Sequence, residues 1–400
     1  MTKNIVFCAD GTWNGPGEAD QDSQDAPASN VFKAFANLDG VESLDTLQLA
    51  KEQEKVLQGP TGELRQVAKY IHGVGDSTNI LDKLLGGAAG AGLITRIVRG
   101  YTFVSRNYDK DDAIVLLGFS RGAYTARALA GLIAARGLLD GAMLDLEDKE
   151  KAYRAGCAVW YDYRKAALRN DPNRLGKLQE TILDLPAFIS QPVLPPLIAG
   201  IRIKCVAVWD TVGALGIPEY NRARFRVDAF RFCDTKLSDL VAVGLHAVSV
   251  DERRADFTPT LWDADPRIKQ ALFPGAHADV GGGYPNDNGE CGLSDGACSW
   301  LTQELARLGV LFSSEPRATI RPAALAPAHE PWAKPPWNGL PKLDAGRAIP
   351  RGLLLHRSVL DRVTGGNVVA DPSMAPAPYA PPNLGSYVAN GQAVSGVQIV

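Results

Sequence analysis

Ala113-Ile114-Val115-Leu116-Leu117-Gly118-Phe119-Ser120-Arg121-Gly122-Ala123 is the stretch from which the fold is read. Five consecutive apolar residues, two of them β-branched, predict a strand buried on both faces. The Ala-rich run from Ala123 to Ala135 predicts a helix. Between them, Gly118-x-Ser120-x-Gly122 fits a sharp turn, because side chains flanking Ser120 would collide with neighbouring backbone. The five-residue pattern is weak by itself, and its position between strand and helix gives it weight. Such a turn lifts Ser120 to the carboxyl end of the strand, against a helix N-terminus where the Arg121 N–H can stabilise negative charge. The plainer alternative is a glycine-rich turn with Ser120 as an ordinary helix N-cap.

Outward from this unit the same alternation continues. Ile5 to Ala9 is an apolar run ended by Asp10-Gly11-Thr12-Trp13-Asn14, a buried strand feeding a loop. Ser29 or Asn30 caps a short helix through Leu38, Val67 to Ile71 is a second strand, and Leu93 to Tyr108 has helical spacing. Ile203 to Trp209 is a buried strand ending in Asp210. Ser238 is expected to cap a helix to about Glu252, Ala271 to Phe273 to be a last short strand, and Leu293 to Leu308 a helix. Strands alternating with helices predict an α/β fold with a mostly parallel sheet flanked by helices. Residues 140–200 read as a helical and Pro-rich insertion or cap, and its Trp160 to Arg164 cluster as cap packing in preference to a lipid contact. Residues 1–312 form the expected catalytic domain. Residues 313–400 form a Pro-rich extension packing on it, ordered by pattern only near 353–363.

A serine nucleophile needs a base, and the base needs a carboxylate to orient it. Asp210 and His277 each directly follow a strand, in the chain order serine, acid, histidine. If the sheet is parallel, both share the edge that carries Ser120. The loop after the first strand is expected to give a second oxyanion donor at Gly11 or Thr12, with Asp10 and Asp279 in supporting roles. His356 is the rival base, and Asp251 the rival acid, although the arginines beside Asp251 point to an ion pair. His72 reads as structural, His246 as a mid-helix packing residue and His329 as an inert linker residue.

With 46% hydrophobic and 22% charged residues, the 400-residue chain has a globular balance and length enough for a sizeable core. A net charge of −3 argues against a nucleic-acid partner. The cysteines Cys8, Cys157, Cys205, Cys233, Cys291 and Cys298 form no CxxC pair and read as unpaired thiols, with neither metal nor cofactor implied. No apolar run reaches the ~18 residues of a membrane span and no signal peptide is recognised. The expectation is a cytoplasmic protein, with export by a signal-independent route and transient membrane-surface contact left open. Oligomeric state is not readable.

Taken in order, Asp10-Gly11-Thr12-Trp13-Asn14, Gly118-Phe119-Ser120-Arg121-Gly122-Ala123, Trp209-Asp210-Thr211-Val212-Gly213, Asp251-Glu252-Arg253-Arg254 and His277-Ala278-Asp279-Val280-Gly281-Gly282-Gly283-Tyr284 closely resemble an uncharacterised α/β-hydrolase domain family of bacteria and fungi. That family includes type VI secretion phospholipase effectors of the first lipase class. The resemblance covers about residues 3–310. It implies an α/β-hydrolase fold and a Ser-Asp-His triad falling on Ser120, Asp210 and His277. For the secreted members it also implies lipid ester hydrolysis. The expected function is therefore cleavage of a small-molecule or lipid ester through an acyl-enzyme. The alternatives are a metal-assisted phosphohydrolase using Asp10, His277 and Asp279, and a non-catalytic binding protein on the same fold.

Overall fold

The computed structural model describes residues 2–11, 27–42, 52–73, 88–168, 193–212, 235–335, 337–339 and 341–400. Among these residues the central sheet has nine strands: β1 (Asn4–Ala9), β2 (Val41–Glu42), β3 (Glu52–Gln58), β4 (Leu64–Ile71), β5 (Ala113–Phe119), β6 (Ile203–Trp209), β7 (Val241–Ser249), β8 (Ile268–Phe273) and β9 (Leu354–Leu355). Their spatial order is β9-β8-β7-β6-β5-β1-β4-β3-β2. Every pairing from β9 to β4 is parallel, while β3 and β2 are added antiparallel at one edge. The fold is α/β, a mostly parallel sheet flanked by helices.

The two buried faces explain why the strands read as unbroken apolar runs. Along β1, Ile5, Phe7 and Ala9 point into one apolar cluster and Val6 and Cys8 into the other. The first cluster is closed by helices α2 (Ala88–Asn107), α3 (Arg121–Arg136) and α4 (Lys149–Leu168). The second is closed by α1 (Asn30–Asn37) and α6 (Gly292–Arg307), the latter preceded in the chain by the short helix α5 (His277–Gly281). In β6 a register shift opposite Ile114 and Val115 inverts the alternation, so Ile203 faces the first cluster and Cys205 the second. Of the expected insertion at 140–200, the described helix α4 puts Ala152, Cys157, Val159 and Trp160 into the same cluster as α2 and α3. Trp160 and Arg164 are both buried.

Two readings of the sequence change. Ser238 to Glu252 is not a helix: Ser238 closes a turn, accepting from the Val241 N–H, and residues 241–249 form strand β7. A short apolar run rich in valine has no periodicity that separates a buried helix from a strand buried on both faces. His246 therefore lies on a strand. The region after Ser313 is also more extensively built than its composition suggested. It supplies β9 and helix α7 (Arg357–Thr364), and Leu353, Leu355, Val359, Leu360, Leu384 and Tyr387 pack with Val248, Val250 and Leu272 of the central sheet region.

The carboxyl ends of seven parallel strands line one edge of the sheet, and those of β1, β5, β6, β7 and β8 lie side by side between β4 and β9. The chain runs from β1 out to one side through β2, β3 and β4, then returns to the other side at β5. Beside β1 and β5 the direction of winding reverses, the position where open α/β sheets form a crevice. Ser120 stands there.

Candidate functional site

Ser120 occupies φ 57°, ψ −123°, a conformation that costs a non-glycine residue of order 1–3 kcal/mol. Its side chain makes no capping bond to α3, so the plain N-cap role is not the one observed. Both flanking glycines are sterically required. A Cβ on Gly118 would lie 2.3 Å from the Gly122 carbonyl oxygen, and one on Gly122 would lie 2.1 Å from the Ala9 carbonyl oxygen. The turn is thus pressed between its own strand and the end of β1.

Phe119 and Trp209 are register partners on β5 and β6, and the Ser120 N–H donates to the Trp209 carbonyl at 3.2 Å. Asp210 follows Trp209 at once, also at positive φ (35°), and is fully buried. Its carboxylate accepts four hydrogen bonds from three residues. Oδ1 takes the Ser249 N–H at 3.0 Å and Arg347 Nη1 at 2.6 Å; Oδ2 takes Arg347 Nη2 at 2.9 Å and His277 Nδ1 at 2.5 Å. Burial alone would raise this carboxyl. The Arg347 guanidinium and the His277 bond outweigh it and hold the group well below the ordinary carboxylate range.

His277 opens α5. Its ring lies between Phe119 (centroids 4.6 Å apart) and the edge-on ring of Phe257 (5.0 Å). Burial lowers its pKa below the usual histidine value, partly offset by Asp210. A neutral ring that donates from Nδ1 to Asp210 must carry its lone pair on Nε2. Nε2 is buried and has no hydrogen-bond partner among the described residues. Ser120 Oγ is therefore not bonded to it in this conformation, although the ring of the residue next to Ser120 packs tilted against the imidazole.

The loop that presents His277 is clamped from several sides. Glu252 accepts from the His277 N–H at 3.2 Å and from Arg254 Nε and Nη2 at 2.9 and 2.7 Å. Asp251 Oδ2 accepts from the Gly275 N–H at 2.6 Å and from Tyr379 Oη at 2.9 Å. Asp251 thus anchors the loop and is not the residue bonded to the His277 ring, and it is not the ion pair its neighbours suggested; Glu252 holds Arg254 instead. Asp279 accepts from the Ala276 N–H at 2.9 Å and from His329 Nδ1 at 2.6 Å. His329, expected to be inert, is buried, stacks on Tyr284, and bonds Glu290 through Nε2 at 3.2 Å. Burial lowers its pKa, and the two carboxylates more than reverse this, leaving it raised.

The remaining candidates separate cleanly. Asp10 accepts from the Gly11 N–H, Ser29 Oγ and Tyr70 Oη, each at 2.6 Å, and burial pushes its carboxyl up to about 6. The Gly11 N–H is thereby occupied, and Thr12 lies outside the described residues. The Arg121 N–H begins α3 directly after Ser120. His356 caps α7, bonds Ser358 Oγ at 2.7 Å and stacks on Phe273, so it is not brought to Asp210. His246 Nε2 accepts from the Thr211 N–H at 3.1 Å while Nδ1 faces Gln270 Oε1 at 3.3 Å. His72 lies edge-on to Tyr70. Among the described residues no three His, Cys, Asp or Glu side chains are grouped to hold a metal ion, and no helix is long and apolar enough to cross a membrane.

Sequence reasoning missed Arg347 and the work of Glu252 and His329. The Asp251-Glu252-Arg253-Arg254 block was visible as a motif, and nothing local marks Arg347 among its Pro-rich neighbours.

Residues 3–304 match the family model of the catalytic domain of Tle1-like phospholipase effectors of the type VI secretion system. Among curated proteins the chain is similar to the uncharacterised protein YEL023C of Saccharomyces cerevisiae, 27% identical over 266 residues, which is 66% of this chain and 33% of that protein. Among solved structures it is similar to the Tle1 effector bound to the VgrG spike of the type VI secretion system, with 19% identity, 71% of this chain and 51% of that chain covered, and a TM-score of 0.36. An uncharacterised protein from Pseudomonas aeruginosa gives 16% identity, coverage of 80% and 48%, and a TM-score of 0.39. The chain thus spans a third of the yeast relative's length and about half of each solved chain.

Proposed function

This chain belongs to the family of Tle1-like phospholipase effector catalytic domains, and from that membership we propose that it is a serine hydrolase of carboxylic esters, acting on lipid substrates through an acyl-enzyme. Ser120 Oγ attacks the acyl carbon and forms the C–O bond, while His277 Nε2 takes the hydroxyl proton. Asp210 keeps the imidazole proton on Nδ1 and stabilises the imidazolium that forms. The Arg121 N–H holds the oxyanion, and with the Gly11 N–H taken by Asp10 the second donor of this proposal is the Thr12 N–H. Its collapse expels the alcohol, which receives the proton from Nε2. Water then enters by the reverse sequence and releases the acid.

The observation that supports this reading most directly is the Asp210–His277 bond of 2.5 Å beside a buried, unpartnered Nε2. A buried ring nitrogen without a partner costs about 1–3 kcal/mol, an expense that makes sense where a hydroxyl or a leaving group is to be met. The gap to Ser120 is closed in this proposal by the substrate complex, since catalytic hydrogen bonds often tighten only there.

Ser120→Ala is expected to abolish turnover of p-nitrophenyl esters and labelling by a fluorophosphonate probe, with an unchanged circular dichroism spectrum. Undiminished turnover in that variant would remove the serine mechanism. Because the His277 pKa is lowered and the base must be neutral, the acid limb of kcat/KM is expected below pH 6.5. A limb at or above pH 7 would show that a different group titrates.

A further inference from the structure

We propose that Arg347, from the region beyond the 3–304 family match, is a positioning residue of the hydrolytic centre: by clamping both oxygens of Asp210 it keeps the acid ionised and aimed at His277. The inference rests on the serine-hydrolase reading above and adds to it a residue outside the matched span.

Both terminal nitrogens of the guanidinium are engaged, and only its buried Nε has no partner among the described residues. Arg347 is 2% exposed, and its two terminal nitrogens form parallel bonds to the two Asp210 oxygens at 2.6 and 2.9 Å, the planar fork that arginine offers and lysine does not. The same nitrogens donate to the Ser249 and Phe257 carbonyls, which ties the guanidinium to the end of β7 and to the residue packed on the imidazole. The segment carrying Arg347 is laid along the loop after β7: the Ala255 N–H donates to Pro341, the Leu343 N–H donates to Arg253, and Asn383 Nδ2 bridges the Arg347 and Val250 carbonyls.

A fully buried carboxylate with only a histidine and one backbone N–H would tend to take up a proton, and a protonated acid can rotate and donate instead of accepting. The guanidinium prevents both. It also makes the Asp210–His277 pair as a whole hold a proton less tightly, because it adds a positive charge within hydrogen-bond distance. This sign is independent of which member of the pair carries that proton. Among the described residues the other charges facing the pair are Glu252 and Arg254, which hold each other at 2.7 Å, and the titratable His246 of β7 lies beside Asp210, bonded to the Thr211 N–H.

The test follows fluorophosphonate labelling of Ser120 in the full chain as a function of pH, which reads activation of the nucleophile without a known substrate. Arg347→Met should lower the plateau labelling rate by about 10²–10⁴-fold. It should also move the acid limb up by about one pH unit or more. Arg347→Lys, which keeps the charge and loses the fork, should lower the plateau at least about tenfold while its limb stays nearer the wild-type position. A wild-type plateau with an unmoved limb in a folded Arg347→Met overturns the proposal. If that variant does not fold, a wild-type plateau in Arg347→Lys overturns it. Ser120→Ala is the separating control. If it still labels, the serine-hydrolase reading itself fails; if it is silent while the Arg347 variants behave as wild type, only the role of Arg347 is lost.

Discussion

A methyl group on Gly122 would sit 2.1 Å from the Ala9 carbonyl oxygen and 2.5 Å from that of Asp10, both backbone atoms of a buried strand end. Neither can yield without moving β1, so Gly122→Ala is expected to cost about 1–3 kcal/mol in urea unfolding and to lower Ser120 labelling as the turn is displaced. A change below a few tenths of a kcal/mol would show that the turn has slack. Gly281 is held in the same way, since a Cβ there would enter the Phe119 ring that packs tilted against His277. Residues of this kind are legible in sequence, because the steric need and the glycine coincide at one position. Ser120, Asp210 and His277 are legible for a related reason: each follows an apolar run, so its place at the sheet edge is local information. Arg347 is not. An arginine in a Pro-rich stretch looks like any exposed cation until long-range packing buries it against a carboxylate 137 positions away.

Strand β7 shows how an element can be misread and still serve the site. Its valines and Gly244 fit a strand buried on both faces, and His246 in its middle is fully buried. Because Nε2 accepts from the Thr211 N–H, the ring must be neutral, with its proton on Nδ1 toward Gln270. Burial, with the charge of Arg127, lowers its pKa to about 3. The sign follows from linkage: below pH 6.5 the unfolded chain takes up a proton on this histidine and the folded chain does not. The contribution is therefore present above pH 6.5 and is lost as pH falls from 6.5 toward about 3. Unfolding in urea at pH 7 and pH 5 should differ by roughly 2 kcal/mol from this group, and His246→Gln should shrink that difference. An unaltered pH dependence in the variant would mean that other groups carry it. The helix capped by Ser29 and the strand of the Ser120 turn are recognisable because their signals, a cap and a break, are short-range. The antiparallel strand β3 is not. Its sequence Glu52-Gln53-Glu54-Lys55-Val56-Leu57-Gln58 becomes a strand through pairing with β4 and through the buried ion pairs of Glu52 and Glu54 with Lys69.

On the scale of the whole molecule, residues beyond 312, expected to pack on the catalytic domain, extend its central sheet and its apolar core. Leu355 is fully buried, extends the sheet as β9 and packs against Val248 and Leu272. Leu355→Ala is expected to destabilise the fold by about 2–5 kcal/mol in urea titrations, where a surface leucine would cost almost nothing. The fold class was accessible from the alternation of strands and helices, and the integration of the last quarter of the chain was not, since its order comes from contacts with β7 and β8 more than from periodicity. The Asp210–Arg347 clamp has a temporal side as well. A ribosome adding about 5–20 residues per second reaches position 347 roughly 7–27 s after position 210. For that interval the nascent polypeptide carries Asp210 without the cation that clamps it, so the carboxylate can take its folded set of bonds only after position 347 has been added.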